Sequence, residues 1–537
     1  MAVKKRKQAV VVVHGMGEQR PLQTLRDFVE AAYQRDLSLT PDDPRFRVDL
    51  DNGEQLNRVW IVPDDTTGSE VLRRITTTES LVGVRTDFYE FYWADIMSGT
   101  PLDRVTAWLW GLLLRSPFRV PRRTKIVLAW LLLWALTGLF VLLGYLIADP
   151  DAGPFHDWVT GAARLLNTFN PSLGWAFVAA GVALLGARLA VTRPVQRTGF
   201  KLPAALVAVG LVLLFVLPQP VAATGRFWAG MLAAAVALVT WMLIVPYVGD
   251  VVRYARATPN TVASRKQVRD RGLGLLRALH ERKLTRRGST PYYDRIVLVG
   301  HSLGAIIAYD LLLHLWEEIG PTHKHGTLPP AVVTALNAVD DPFVENTWNP
   351  DKNPELGGIQ SFDLPAFRNM QADVYKALMN SGQGWLISDF VTLGSPLAHA
   401  EFLLTDSRDH LKRSFEERVF AASPPRPDLP NSSMLYGWGD RVFAHFAAPF
   451  AAVRWTNIFD ESWFPLAGDA VSGSVRGVFG PGIEEHDVKM SHGRWLGPLG
   501  RFVTHTLYWS RAGGKSQPLG GHVARLRDAL DIGRTTL

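Results

Sequence analysis

The sequence predicts an α/β fold: a sheet with helices on both faces, interrupted by a four-helix transmembrane insertion. Three observations predict it. Ala9–Val13 is a run of valines of the kind found in fully buried parallel strands, and it breaks at His14-Gly15-Met16-Gly17. Ile296–Val299 is a second β-rich apolar run, followed by Gly300-His301-Ser302-Leu303-Gly304 and then an amphipathic stretch. Between these two lie four long apolar segments in succession.

Residues 1–103 read as the first strands of the sheet, at Val10–Val13, Arg58–Val62 and Asp87–Trp93. Residues 104–258 form the expected insertion, with spans at 126–148, 173–191, 202–217 and 227–248. The first holds no charge across 23 residues, enough for a helix to cross a hydrocarbon core of about 30 Å. Arg188 lies near one end of the second span, where it can snorkel to the interface. Basic residues concentrate before the first span, between the second and third and after the fourth, which predicts that both flanking halves lie on the cytoplasmic side. The expectation is therefore an integral protein of a cytoplasmic or inner membrane. Residues 259–537 then complete the sheet. Within them, Arg265–Lys283 reads as a basic amphipathic helix close to lipid headgroups.

Ser302 stands between two glycines at a strand-to-helix junction. A hydroxyl nucleophile is useful when a tight turn holds it clear of the backbone, and Gly300 and Gly304 supply positions where a Cβ would clash. The helix that begins after the turn aims its free N–H groups at charge developing on a substrate carbonyl, which makes the Leu303 amide one expected oxyanion donor. The His-Gly turn at the end of the first strand offers the other, from Gly15 or Met16.

Three later segments extend the pattern. Phe390–Leu397 is a strand ending in Gly394-Ser395-Pro396; Arg454–Val471 holds a Trp-x-Asn followed by Asp469-Ala470-Val471; Ser491-His492-Gly493-Arg494-Trp495 places a Ser-His pair before an aromatic residue. With the serine and His-Gly motifs, these make the chain resemble the lipase and esterase branches of the α/β-hydrolase superfamily. The resemblance implies a Ser-Asp-His triad in that chain order, formed by Ser302, Asp469 and His492. Asp460 is the alternative acid, being nearer the end of the strand Val453–Phe459, with Asp340 and Asp341 behind it. His486 and His505 compete with His492 as the base.

Composition narrows the remaining choices. Residues 104–256 hold 14 Lys plus Arg against 4 Asp plus Glu, a balance of +10 within a chain of net charge +7. The basic surplus is thus read as a topology signal, and no zinc-finger spacing, Walker loop or base-reading helix points to nucleic acid. There are no cysteines, which excludes disulfides and thiolate metal sites. No metal or other cofactor is expected. The sequence reading is a membrane-embedded serine hydrolase of carboxylic esters, above all lipid or other amphiphilic esters, with membrane lipids as its surroundings and its oligomeric state open. A catalytically silent scaffold, or one part of a multiprotein system, is the alternative; a transporter built on the four spans is a third.

Overall fold

A computed structural model describes residues 6–15, 21–64, 73–97, 254, 262–283, 290–322, 327–340, 362–405, 407–425, 434–438, 441–461, 468–469, 471–491, 504–510 and 521–532. The chain divides into two compact units, Met1–Ala129 with Pro246–Leu537, and Trp130–Val245. The second lies wholly outside the described residues.

The first unit is built on a mixed sheet of eight strands in the order β12-β11-β8-β7-β1-β6-β5-β4. These are β1 (Arg6–Val13), β4 (Val59–Pro63), β5 (Arg73–Thr77), β6 (Val84–Phe91), β7 (Arg295–His301), β8 (Ile387–Leu393), β11 (Arg454–Phe459) and β12 (Ile483–Asp487). From β12 to β6 every neighbouring pair is parallel; at the other edge β5 runs antiparallel to both β6 and β4. Two small hairpins, β2 (Arg47–Asp49) with β3 (Gln55–Asn57) and β9 (Leu435–Trp438) with β10 (Arg441–Ala444), stand outside this sheet.

The valine run becomes the centre of the sheet because both of its faces are covered. Ala9, Val11 and Val13 pack into one core, against helices Val262–Glu281, Leu303–Ile319 and Leu364–Asn380. Val10 and Val12 point the other way, into a second core with Leu25 and Phe28 of helix Gln23–Val29 and Leu526 and Leu530 of helix Gly521–Leu530. Strand β7 repeats the division, with Ile296 and Leu298 on the first side and Val297 and Val299 on the second. A strand buried on both faces needs an unbroken apolar run, and each such side chain contributes roughly 1.5–3 kcal/mol of burial.

One end of the sheet is closed by charge. Arg295, 1% exposed, donates to Asp389 at 2.7 Å and to the Leu530 carbonyl at 3.3 Å. Burial alone would raise the Asp389 pKa, but Arg295 and Arg454 together hold it well below the usual carboxylate range. The guanidinium thereby anchors the C-terminal helix to the strand that delivers Ser302.

Two expectations require correction. Among the described residues no helix is long and apolar enough to cross a membrane, so neither the four-helix transmembrane insertion nor the assignment to a cytoplasmic or inner membrane is supported. Helix Leu303–Ile319 is apolar but short and carries Asp310, Glu317 and Glu318, while helix Val262–Glu281 is long enough but studded with Arg and Lys. An uncharged run measures hydropathy alone, and a span also needs that run to be one helix of sufficient length. The stretches 126–148, 173–191, 202–217 and 227–248 lie outside the described residues. In the basic helix, Arg269 pairs with Asp310 at 3.0 Å and Arg277 with Glu318 at 2.6 Å.

Candidate active site

Strand β7 ends at His301, and Ser302 turns the chain sharply into helix Leu303–Ile319. Ser302 takes φ 55° and ψ −129°, a conformation L-residues rarely adopt, so the elbow stores backbone strain. Its amide donates to the Leu393 carbonyl at the end of β8 (3.0 Å), and its carbonyl accepts from Ala305 (2.9 Å). The flanking glycines are steric necessities. A Cβ on Gly300 would sit 2.5 Å from the Ala305 Cα, and one on Gly304 would overlap the carbonyls of Val13 and His14. The nucleophile turn is therefore pressed directly against the end of β1.

The His-Gly turn meets Ser302 there. A Cβ on Gly15 would lie 2.8 Å from the Ser302 Cβ and 2.9 Å from His301 Nδ1. His14 is fully buried, its ring stacked on Trp93 with centroids 5.1 Å apart. Its Nδ1 bonds the Gly15 carbonyl (2.8 Å), and the Trp93 indole donates to the His14 carbonyl (3.0 Å). Burial lowers the His14 pKa to about 4, so the ring is neutral and acts as a clamp on the turn. Leu303 opens the nucleophile helix, where an amide has no intrahelical partner. Met16 lies outside the described residues.

Three side chains converge on the elbow. Ser302 Oγ is 2.8 Å from His505 Nε2, and His505 Nδ1 is 2.9 Å from each oxygen of Asp469. Asp469 is an acceptor only, so Nδ1 carries the proton and Nε2 accepts from the serine hydroxyl. All three are buried: Ser302 is 1% exposed, His505 6% and Asp469 0%. Burial pushes the Asp469 pKa up, but the charge of His505 and hydrogen bonds from His505, Tyr508 and Ser472 outweigh it and hold the group well below the usual carboxylate range. Asp469 is thus ionised whenever the site could operate.

The histidine that meets Ser302 lies in the turn Thr504–Thr506, where the sequence offers His505 as a competitor to His492. His492 lies outside the described residues. His486 lies on β12, 3.0 Å from Glu484. The alternative acid Asp460 has a different neighbourhood. It ends β11, and its Oδ2 accepts from the Thr504 hydroxyl (2.8 Å) and the Met490 amide (3.3 Å). Asp340 accepts from the Met434 amide at 2.9 Å, and Asp341 is outside the described residues.

The remaining motifs brace the acid. Trp455 donates to Thr392, Thr392 to Asn457, and Asn457 to the Gly473 carbonyl (3.1, 2.9 and 3.1 Å), which ties the Trp-x-Asn strand to the loop carrying Asp469. Gly394 adopts φ 58°, and a Cβ there would lie 2.6 Å from the Tyr508 ring and 3.0 Å from Asp469 Oδ2. The Gly-Ser-Pro strand end thus makes room for the acid and for a tyrosine that sequence reading had not singled out.

His301 completes the arrangement. Its ring stacks on His505 with centroids 5.1 Å apart, and its Nε2 bonds the His505 carbonyl at 3.0 Å. Burial first, and the neighbouring His505 second, lower its pKa to about 3. A neutral His301 donates through Nε2 and holds the base turn from the strand side.

Among the described residues, no group of three or more His, Cys, Asp or Glu could hold a metal ion. Searches against family models, curated proteins and solved structures returned no match.

Proposed function

We propose that this chain is a serine hydrolase of the α/β-hydrolase kind that cleaves carboxylic esters through an acyl-enzyme. The observation that carries the reading is the hydrogen-bonded series Ser302–His505–Asp469, set on an elbow with φ 55°. In the first half-reaction Ser302 Oγ attacks the carbonyl carbon while its proton passes to His505 Nε2. Asp469, held anionic, orients the ring and stabilises its cation. The Leu303 amide and an amide of the His-Gly turn would supply the donors to the oxygen that gains charge. A single donor of this type is worth roughly 2.7–4 kcal/mol in the transition state. Collapse of the tetrahedral species returns the proton to the leaving alcohol, and a water repeats the sequence on the acyl-serine.

Lipid esters were favoured on the ground of membrane tethering, and with that ground corrected the proposal is ester hydrolysis without a stated acyl class. Incubation with p-nitrophenyl esters of graded chain length, together with titration by a fluorophosphonate, tests it. Expected is one equivalent of label per chain and turnover of at least one ester, both abolished in Ser302→Ala. A folded wild type that takes no label would turn the assignment toward the silent scaffold.

A further inference from the structure

Tyr508 stands three residues beyond His505, at 1% exposure, and its hydroxyl lies 2.6 Å from Asp469 Oδ2. The same oxygen accepts the Asp460 amide at 3.2 Å and lies 3.1 Å from Ser472 Oγ. A phenol has one proton and two acceptor positions. With the amide as donor on one side and the carboxylate as acceptor on the other, the proton is committed to Asp469. On its other oxygen, Asp469 accepts from the amides of Val471 (2.9 Å) and Ser472 (3.3 Å). The acid is thus gripped on both oxygens while His505 Nδ1 remains equidistant from them.

We infer that Tyr508 is a positioning residue for the proposed hydrolase: it fixes the plane of the Asp469 carboxylate against His505, so that Nδ1 keeps its proton on the acid side and Nε2 faces the serine. Two independent features were built around this contact. Gly394 lacks the Cβ that would collide with the Tyr508 ring, and the Asp460 carboxylate holds Thr504, the first residue of the same turn. Catalytic advantage follows from holding the imidazole in the one tautomer and orientation in which Nε2 can accept the serine proton.

The groups facing His505 are few. Asp469 faces it from the acid loop, His301 stacks on it from β7, and Ser302 bonds it from the elbow. Asp460 acts from behind through Thr504. Removing the Tyr508 hydroxyl leaves the contacts of His301 and Ser302 with His505 in place, and takes from Asp460 only the acceptor of its amide and from Ser472 a hydroxyl neighbour.

The inference rests on the hydrolase reading for its catalytic meaning, but its test can be read without turnover. In protein labelled with ¹⁵N-histidine, the His505 Nδ1–H resonance, assigned by its loss in His505→Ala, is compared at one pH in the wild type and in Tyr508→Phe. The expected result is a changed Nδ1–H shift and several-fold faster exchange with water in the variant, because the carboxylate that loses a donor no longer holds one plane against the ring. For p-nitrophenyl acetate kcat should fall several-fold with KM nearly unchanged. Incorporation of 3-fluorotyrosine at position 508, a stronger donor of the same shape, should slow that exchange and keeps the test available if Tyr508→Phe fails to fold. An unmoved Nδ1–H resonance and exchange rate in Tyr508→Phe, or faster exchange with fluorotyrosine, overturns the inference. Absence of ester turnover with the expected Nδ1–H changes would count against the hydrolase reading alone.

Discussion

The two sides of the candidate site are made by different physics. On the nucleophile side, Ser302 and the His-Gly turn are fixed by backbone contact between strand ends, with Gly300, Gly304 and Gly15 placed where a Cβ would collide. On the acid-base side, Asp469 and His505 lie on loops, and the chain Trp455–Thr392–Asn457–Gly473, together with Thr504–Asp460 and Tyr508–Asp469, holds them by polar side chains. The first side is a matter of space, the second of satisfied hydrogen bonds. Substitutions on the first should therefore damage the fold, and those on the second the chemistry.

The largest contrast is expected between Asp469→Asn and Gly304→Ala. Asp469→Asn keeps the shape but favours the wrong tautomer of His505, and kcat should fall on the order of 10⁴-fold. The fold should survive it, with unfolding shifted by less than about 2 kcal/mol. Gly304→Ala drives a methyl into the Val13 and His14 carbonyls, where β1 cannot give way, and should cost about 3 kcal/mol or more in denaturant unfolding. Equal loss of stability in the two variants would erase the distinction.

Gly394→Ala probes the boundary. It meets both a left-handed backbone and the Tyr508 ring, so stability and activity should fall together, by about 1–3 kcal/mol and at least about tenfold. Thr504→Val is milder. It leaves Asp460 without its hydroxyl donor, which should cost about 1–2 kcal/mol and a several-fold loss in kcat.

The smallest effect concerns pH. Glu90 on β6 is buried, which raises its pKa to about 7, and its Oε2 accepts the Leu22 amide (2.6 Å) where the chain re-enters after the His-Gly turn. A carboxyl with a raised folded pKa is ionised first in the unfolded chain, so stability falls as pH rises from about 4.5 to 7. Glu90→Gln, which keeps an acceptor, should stabilise the protein at pH 8 by about 1–3 kcal/mol and hardly at all at pH 4. His14 acts in the opposite direction: its folded pKa of about 4 means that stability is lost as pH falls from 6.5 toward 4. Thermal unfolding across pH 4–8 in the wild type and in Glu90→Gln separates the two.

The same contrast accounts for what was legible in the sequence. Val10–Val13 and Ile296–Val299 lie within β1 and β7, because strands buried on both faces must be continuously apolar. The elbow was visible because its glycines sit at fixed offsets from Ser302. The strand Arg73–Thr77, next to the edge, escaped notice, since RRITT has neither an apolar run nor strict alternation. The base was harder still: His505 lies in a short turn whose place in space is set by Asp460, Gly468 and His301, none near it in sequence. Only Tyr508, three residues beyond, offered a local signal, and an isolated tyrosine has no reading by itself. The transmembrane assignment drew on hydropathy and on the placement of basic residues, and the described helices do not supply a span.

The central claim is that Ser302 is activated by His505 and Asp469. Its most direct test is the rate of fluorophosphonate labelling at pH 8 in the wild type, His505→Ala, His492→Ala and Asp469→Asn. The account predicts labelling of Ser302 that is slowed at least about a thousandfold in His505→Ala and Asp469→Asn, and that keeps its wild-type rate in His492→Ala. Labelling that survives in His505→Ala and disappears in His492→Ala would contradict it.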